Sequence, residues 1–148
     1  MTTPGESKVV SVVAAKVDGA QAHDLYATSP SAGFPAPGDD LVEKPLDIND
    51  LLIDNPTATF FVKVEGDSME GAKIFSGDIL VVDRSVTPVT GKIVVAAVYG
   101  EMVVKRLLIQ PKGTFLMSEK EGYEPITVSN NDDCFVWGVV VGSVRVLS

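Results

Sequence analysis

The chain has 148 residues, a formal net charge of −8 at pH 7, 45% apolar residues and one cysteine. That length builds one compact domain with chain to spare, the acidic balance excludes sequence-independent nucleic-acid binding by its own surface, and a single thiol excludes an intramolecular disulfide. No apolar run approaches the roughly 18 residues that a membrane span requires.

From the amino terminus, residues 9–17 (Val9-Val10-Ser11-Val12-Val13 and onward) read as a β-strand that adds to this molecule or to a neighbour. A signal peptide fits poorly: leucine is absent, the basic flank is Lys8 alone, offset by Glu6, and Lys16 and Asp18 follow at once. His23 is the sole histidine and has no second His or Cys nearby, so neither a metal site, a cofactor nor a Ser-His-Asp arrangement is expected. Residues 28–38 carry three prolines and two glycines in eleven positions, which predicts an extended, accessible stretch. The chain is expected to divide near residue 40, into an N-terminal arm (1–40) and a β domain (41–148).

In the second part, Asp47 reads as the cap of a short helix that ends before Pro56. Strands are predicted over 59–65 and 78–84. A hairpin of 92–99 and 102–109 turns at Gly100-Glu101, and shorter strands cover 114–118 and 126–129. A long apolar run, 135–146, is broken at Gly142. Cys134, beside Phe135-Val136-Trp137, reads as a small buried hydrophobe. The fold class is therefore all-β, mainly antiparallel, with a short helix and an extended N-terminal arm; no repeat and no helix-turn-helix pattern is evident.

Gly66-Asp67-Ser68-Met69 stands at a strand end. Gly66 permits a sharp turn that projects Ser68 with the backbone N–H groups around it turned toward the same space, the requirement for a nucleophile with an oxyanion hole. A serine after a strand is also an ordinary turn residue or helix cap, and the tetrapeptide alone does not choose. A serine nucleophile needs a base. A desolvated lysine serves, because burial disfavours the ammonium. Lys105, in the strand after Met102-Val103-Val104, is either such a core lysine or a solvent-facing residue of an alternating strand. Arg106 must face the opposite side, so only one of the two is inward.

Three segments in register carry a resemblance. Phe61 to Met69 resembles the nucleophile motif of the LexA/UmuD self-cleaving peptidases. Gly77-Asp78-Ile79-Leu80-Val81-Val82-Asp83 is similar to that family's Gly-Asp strand, and Gly91 to Glu101 runs into Val103-Val104-Lys105-Arg106-Leu107, where the family places its lysine base. The resemblance extends from about residue 31 to the end, some four-fifths of the chain. It implies a LexA/signal-peptidase-like β fold, Ser68 as nucleophile, Lys105 as general base, an oxyanion site formed by the N–H groups of Asp67 and Ser68, and cleavage of the chain's own Ala32-Gly33 bond. A small residue followed by Gly lets the main chain approach a nucleophile closely. The short stretch before that bond resembles the UmuD type, although this amino terminus is somewhat longer. By resemblance the partners are a RecA–single-stranded DNA filament that stimulates cleavage, a second copy forming a homodimer, and a UmuC-like Y-family translesion polymerase, with no direct specific DNA binding, no membrane and a bacterial cytoplasmic location. Rival readings are a type I signal peptidase, which should carry a membrane anchor, a non-catalytic polymerase-regulating module, and the C-terminal half of a phage or plasmid repressor.

Overall fold

The computed structural model describes residues 5–16, 22–26, 42–128 and 133–147. Contacts divide these into two units, one drawn from Lys16–Asp54 and the other from the residues before it together with Asn55 onward.

In the smaller unit, strand β2 (Ala22–Tyr26) pairs antiparallel with β3 (Val42–Asp47). Helix α1 (Ile48–Leu52) follows, and Asp47 caps it as the sequence predicts, accepting the Asn49 N–H at 2.9 Å. β2 and β3 were not foreseen. Pro45 is tolerated because a two-stranded ladder has only edges.

The larger unit holds β1 (Lys8–Ala14), β4 (Thr59–Glu65), β5 (Ile79–Asp83), β6 (Ile93–Val98), β7 (Glu101–Gln110), β8 (Gly113–Met117), β9 (Ile126–Val128) and β10 (Cys134–Val144). They form one antiparallel sheet in the order β1-β4-β5-β10-β6-β7-β8-β9, and β1 also bridges β7. That extra bridge, Lys8 opposite Val103, closes six of the strands into a ring. Without β1 the sheet would be open along a seam between β4 and β7. The strand expected over 9–17 is therefore present, added to this molecule's own sheet, and it occupies that seam.

The central strands are apolar on both faces, which explains why their valine runs do not alternate with polar residues. Val95 and Val104 join a core with Val62, Val64, Met69, Ile74, Leu80 and Val82. Val94, Ala96, Val103 and Leu107 join a second core with Leu116, Val139 and the buried Cys134. One turn differs from expectation. Val98 pairs with Glu101, so the hairpin turns at Tyr99-Gly100, and both residues have positive φ (47° and 83°). This is the two-residue primed turn whose twist matches the strands. Its glycine takes the second turn position, not the first. In β10 the register slips between Val136 and Gly138 and again between Val140 and Gly142, so the expected break at Gly142 is a bulge within a continuous strand.

Candidate active site

Ser68 and Lys105 are both completely buried. Lys105 lies on the face of β7 that carries Val103 and Leu107, and it stands opposite Val94 of β6. Arg106 faces the other way, where it pairs with Glu119 and donates to the Gly91 carbonyl at 2.6 Å. Of the two neighbouring cations, the inward one is Lys105.

A buried ammonium needs acceptors for its three protons. Lys105 Nζ donates to Glu6 Oε1 at 2.8 Å, Glu6 Oε2 at 2.7 Å and Ser118 Oγ at 2.6 Å. The Tyr123 ring covers it from 5.8 Å. Glu6 is itself buried and lies at the start of the segment leading into β1. The next residue, Ser7, donates its N–H to Ser68 Oγ at 2.9 Å. Consecutive residues of one extended segment thus touch both candidate groups. No hydrogen bond joins Ser68 directly to Lys105 among the described residues.

The backbone of that segment is also held. Asp67 N–H donates to the Gly5 carbonyl at 2.8 Å, and Val104 N–H donates to the Ser7 carbonyl at 2.9 Å. Gly66 makes room for it: a Cβ there would overlap the Glu6 carbonyl, and its φ of +116° suits glycine alone. The expected oxyanion donor Asp67 N–H is accordingly engaged by a peptide carbonyl. Ala32 and Gly33, the expected cleavage dipeptide, lie outside the described residues.

The loop bearing Ser68 is clamped by the chain that follows β8. Glu119 N–H donates to the Ser68 carbonyl and Gly71 N–H to the Glu119 carbonyl, each at 2.8 Å. Tyr123 donates its hydroxyl to Asp67 Oδ1 at 2.6 Å, and Lys120 reaches Asp67 Oδ2 at 2.9 Å and Glu70 Oε1 at 3.0 Å. The Tyr123 hydroxyl and then the Lys120 ammonium hold the Asp67 carboxyl below the usual aspartate value. In return, the hydrogen bond to Asp67 raises the Tyr123 phenol, and the bonds to Asp67 and Glu70 raise the Lys120 ammonium.

Sequence reasoning missed Glu6, Ser7, Ser118 and Tyr123. Glu6 lies 99 positions from Lys105 and Ser118 lies 13 away, and no local spacing joins them. The one available signal for Ser118 was its place at the end of a strand antiparallel to the lysine strand.

Chemically, a buried serine and a buried lysine reached by consecutive residues of one extended segment suit acyl transfer to a peptide. No helix among the described residues is long and apolar enough to cross a membrane. The Peptidase S24-like family model matches residues 24–141. Protein MucA of Salmonella typhimurium is 39% identical over 120 residues, covering 81% of this chain and 82% of MucA. Protein ImpA of Shigella flexneri is 45% identical over 95 residues, 64% of this chain and 66% of its own length. The LexA repressor of Bordetella parapertussis is 36% identical over 115 residues, 78% of this chain and 53% of the repressor. The chain belongs to the Peptidase S24-like family, as a UmuD-like member of the LexA/UmuD self-cleaving peptidases.

Proposed function

We propose that the protein cleaves its own Ala32-Gly33 bond with a Ser68–Lys105 dyad. The observation that carries this reading is the burial of Ser68 and Lys105 at one seam, where consecutive residues of a docked extended segment reach both. Neutral Lys105 takes the Ser68 proton, and Ser68 Oγ attacks the Ala32 carbonyl carbon. The N–H groups of Asp67 and Ser68 receive the oxyanion. Lys105 then protonates the amine of Gly33 as it leaves, and water releases the acyl group from Ser68. A RecA–single-stranded DNA filament favours the state in which the 28–38 arm is docked and supplies no catalytic group. The product, residues 33–148, pairs as a homodimer with a UmuC-like Y-family polymerase in translesion synthesis, within the bacterial cytoplasm and without direct specific DNA binding.

Intact-mass spectrometry of purified protein incubated at pH 7 and about pH 10, beside Ser68→Ala, tests the reading. Fragments 1–32 and 33–148 that form faster at the higher pH, and are absent from the variant, support it, since a lysine base gains activity as it loses its proton. Wild-type protein that stays whole at both pH values, and also with RecA filament and ATP, sinks it and leaves the non-catalytic polymerase-regulating module as the better reading.

A further inference from the structure

We propose that residues 5–14 are a built-in inhibitory strand that fills the active-site seam, with the Glu6 carboxylate tying up Lys105 and the Ser7 N–H tying up Ser68. The inference deepens the peptidase reading and rests on it.

Occupancy comes first. β1 runs antiparallel to β4 from Lys8–Glu65 to Ala14–Phe60, and it closes on β7 through Lys8 and Val103. The segment thus makes a ladder on the β4 bank and a single bridge, with the Val104 N–H to Ser7 carbonyl bond, on the β7 bank, the way an extended peptide adds to an exposed sheet edge. A second peptide cannot use the same β4 and β7 donors and acceptors while β1 is there. Since Ser68 has no exposed surface, any scissile bond reaches it only after this segment has left.

Chemistry comes second. An ammonium has three donors and no acceptor. All three donors of Lys105 are spent, two of them on the carboxylate of Glu6. In that state it has no lone pair for the Ser68 proton. The Ser68 oxygen meanwhile accepts from the Ser7 N–H, which occupies one of its two lone pairs and places a peptide N–H, not a carbonyl carbon, against the nucleophile. Both halves of the dyad are disabled by adjacent residues.

The segment also lacks what a good substrate needs. Glu6 occupies the position whose side chain meets the lysine, where its two carboxyl oxygens take two of the three Lys105 hydrogen bonds; Ala32 and Gly33 have no side chain that could do so. And the fit is incomplete: Ser7 Oγ is buried with no hydrogen-bond partner among the described residues. A buried hydroxyl left unpaired weakens the docked state, as a strand that must be released requires.

The test compares full-length wild type with Glu6→Ala and with a lock, Ser11→Cys/Lys63→Cys, whose positions are opposed on β1 and β4. Two readouts are taken: the rate at which a fluorophosphonate probe labels Ser68, and the rate of appearance of fragments 1–32 and 33–148. Glu6→Ala is expected to raise labelling at least about tenfold, and the oxidised lock to lower it at least about tenfold, with recovery on reduction. Cleavage should follow the same order. Faster labelling of Glu6→Ala without the two fragments supports the inhibitory strand while overturning cleavage at Ala32-Gly33. Labelling within twofold of wild type in both Glu6→Ala and the oxidised lock overturns the inhibitory strand, whether or not the fragments form.

Discussion

Ser118 Oγ lies 2.6 Å from Lys105 Nζ and is the neutral acceptor among the three that hold this ammonium. If Glu6 leaves as proposed, Ser118 would be the anchor that keeps the lysine aimed into the seam. Replacing it with alanine removes one hydrogen bond to a charged group, of order 1.4 kcal/mol, so Ser118→Ala should cleave about tenfold more slowly. Ser118→Thr retains the hydroxyl and should recover most of the rate. Fragment formation across pH 7–10 measures both.

Ser7→Ala should also slow cleavage, by strengthening the docked strand and not by loosening the lysine. It keeps the N–H that contacts Ser68 and deletes the hydroxyl that finds no partner. Relief of about 1 kcal/mol should slow cleavage about fivefold, because the docked strand is the state being stabilised. Hydrogen exchange at the Val104 amide, which bonds the Ser7 carbonyl at 2.9 Å, should slow in parallel. Faster exchange in the variant would contradict the expectation.

At Gly66 the same segment meets a steric limit. Gly66→Ala puts a Cβ into the Glu6 carbonyl and asks alanine to hold a φ of +116°. The cost should exceed about 1 kcal/mol, seen as a lower urea midpoint together with loss of amide protection along β1.

The acid limb of stability depends on Asp78. Its carboxyl is held below the ordinary aspartate value first by the hydrogen bond from Arg145, with the Phe75 N–H adding to it and burial opposing it. Arg145 donates to both carboxylate oxygens, at 2.8 and 3.0 Å. A depressed folded value means that the stabilisation is complete above the unfolded value of about 3.9 and drains away as pH falls through the folded one. Arg145→Met should therefore be less stable than wild type by urea unfolding at pH 6, and the gap between them should close toward pH 2. A gap of constant size at every pH would mean that Arg145 acts through packing on Phe75, over whose ring its guanidinium lies at 4.5 Å.

Local pattern revealed most of the sheet because these strands are valine-rich and separated by turn residues. Thr59–Glu65 matches its predicted bounds, and the Asp47 cap is where its side-chain chemistry places it. The hairpin turn slipped by one residue because a single glycine marks a primed turn without saying which of its two positions it fills, and Tyr99 accepts positive φ unannounced. The inward orientation of Lys105 was undecided between alternation and burial, because a strand buried on both faces has no polar side to break the tie. Glu6 was beyond reach for another reason. Its role depends on ring closure by β1, and closure joins residues near opposite ends of the ladder order, which no window along the chain can display.

β1 lies on the amino-terminal side of the Ala32-Gly33 bond, so the proposed cut there would turn an intramolecular strand into a dissociable ligand. Before the cut its effective concentration at the seam is set by the tether and does not change with dilution. After such a cut it would obey mass action, and a 33–148 fragment would keep fragment 1–32 only where their concentrations exceed the dissociation constant. Dilution, or removal of the free peptide, would then bare the edges of β4 and β7 together.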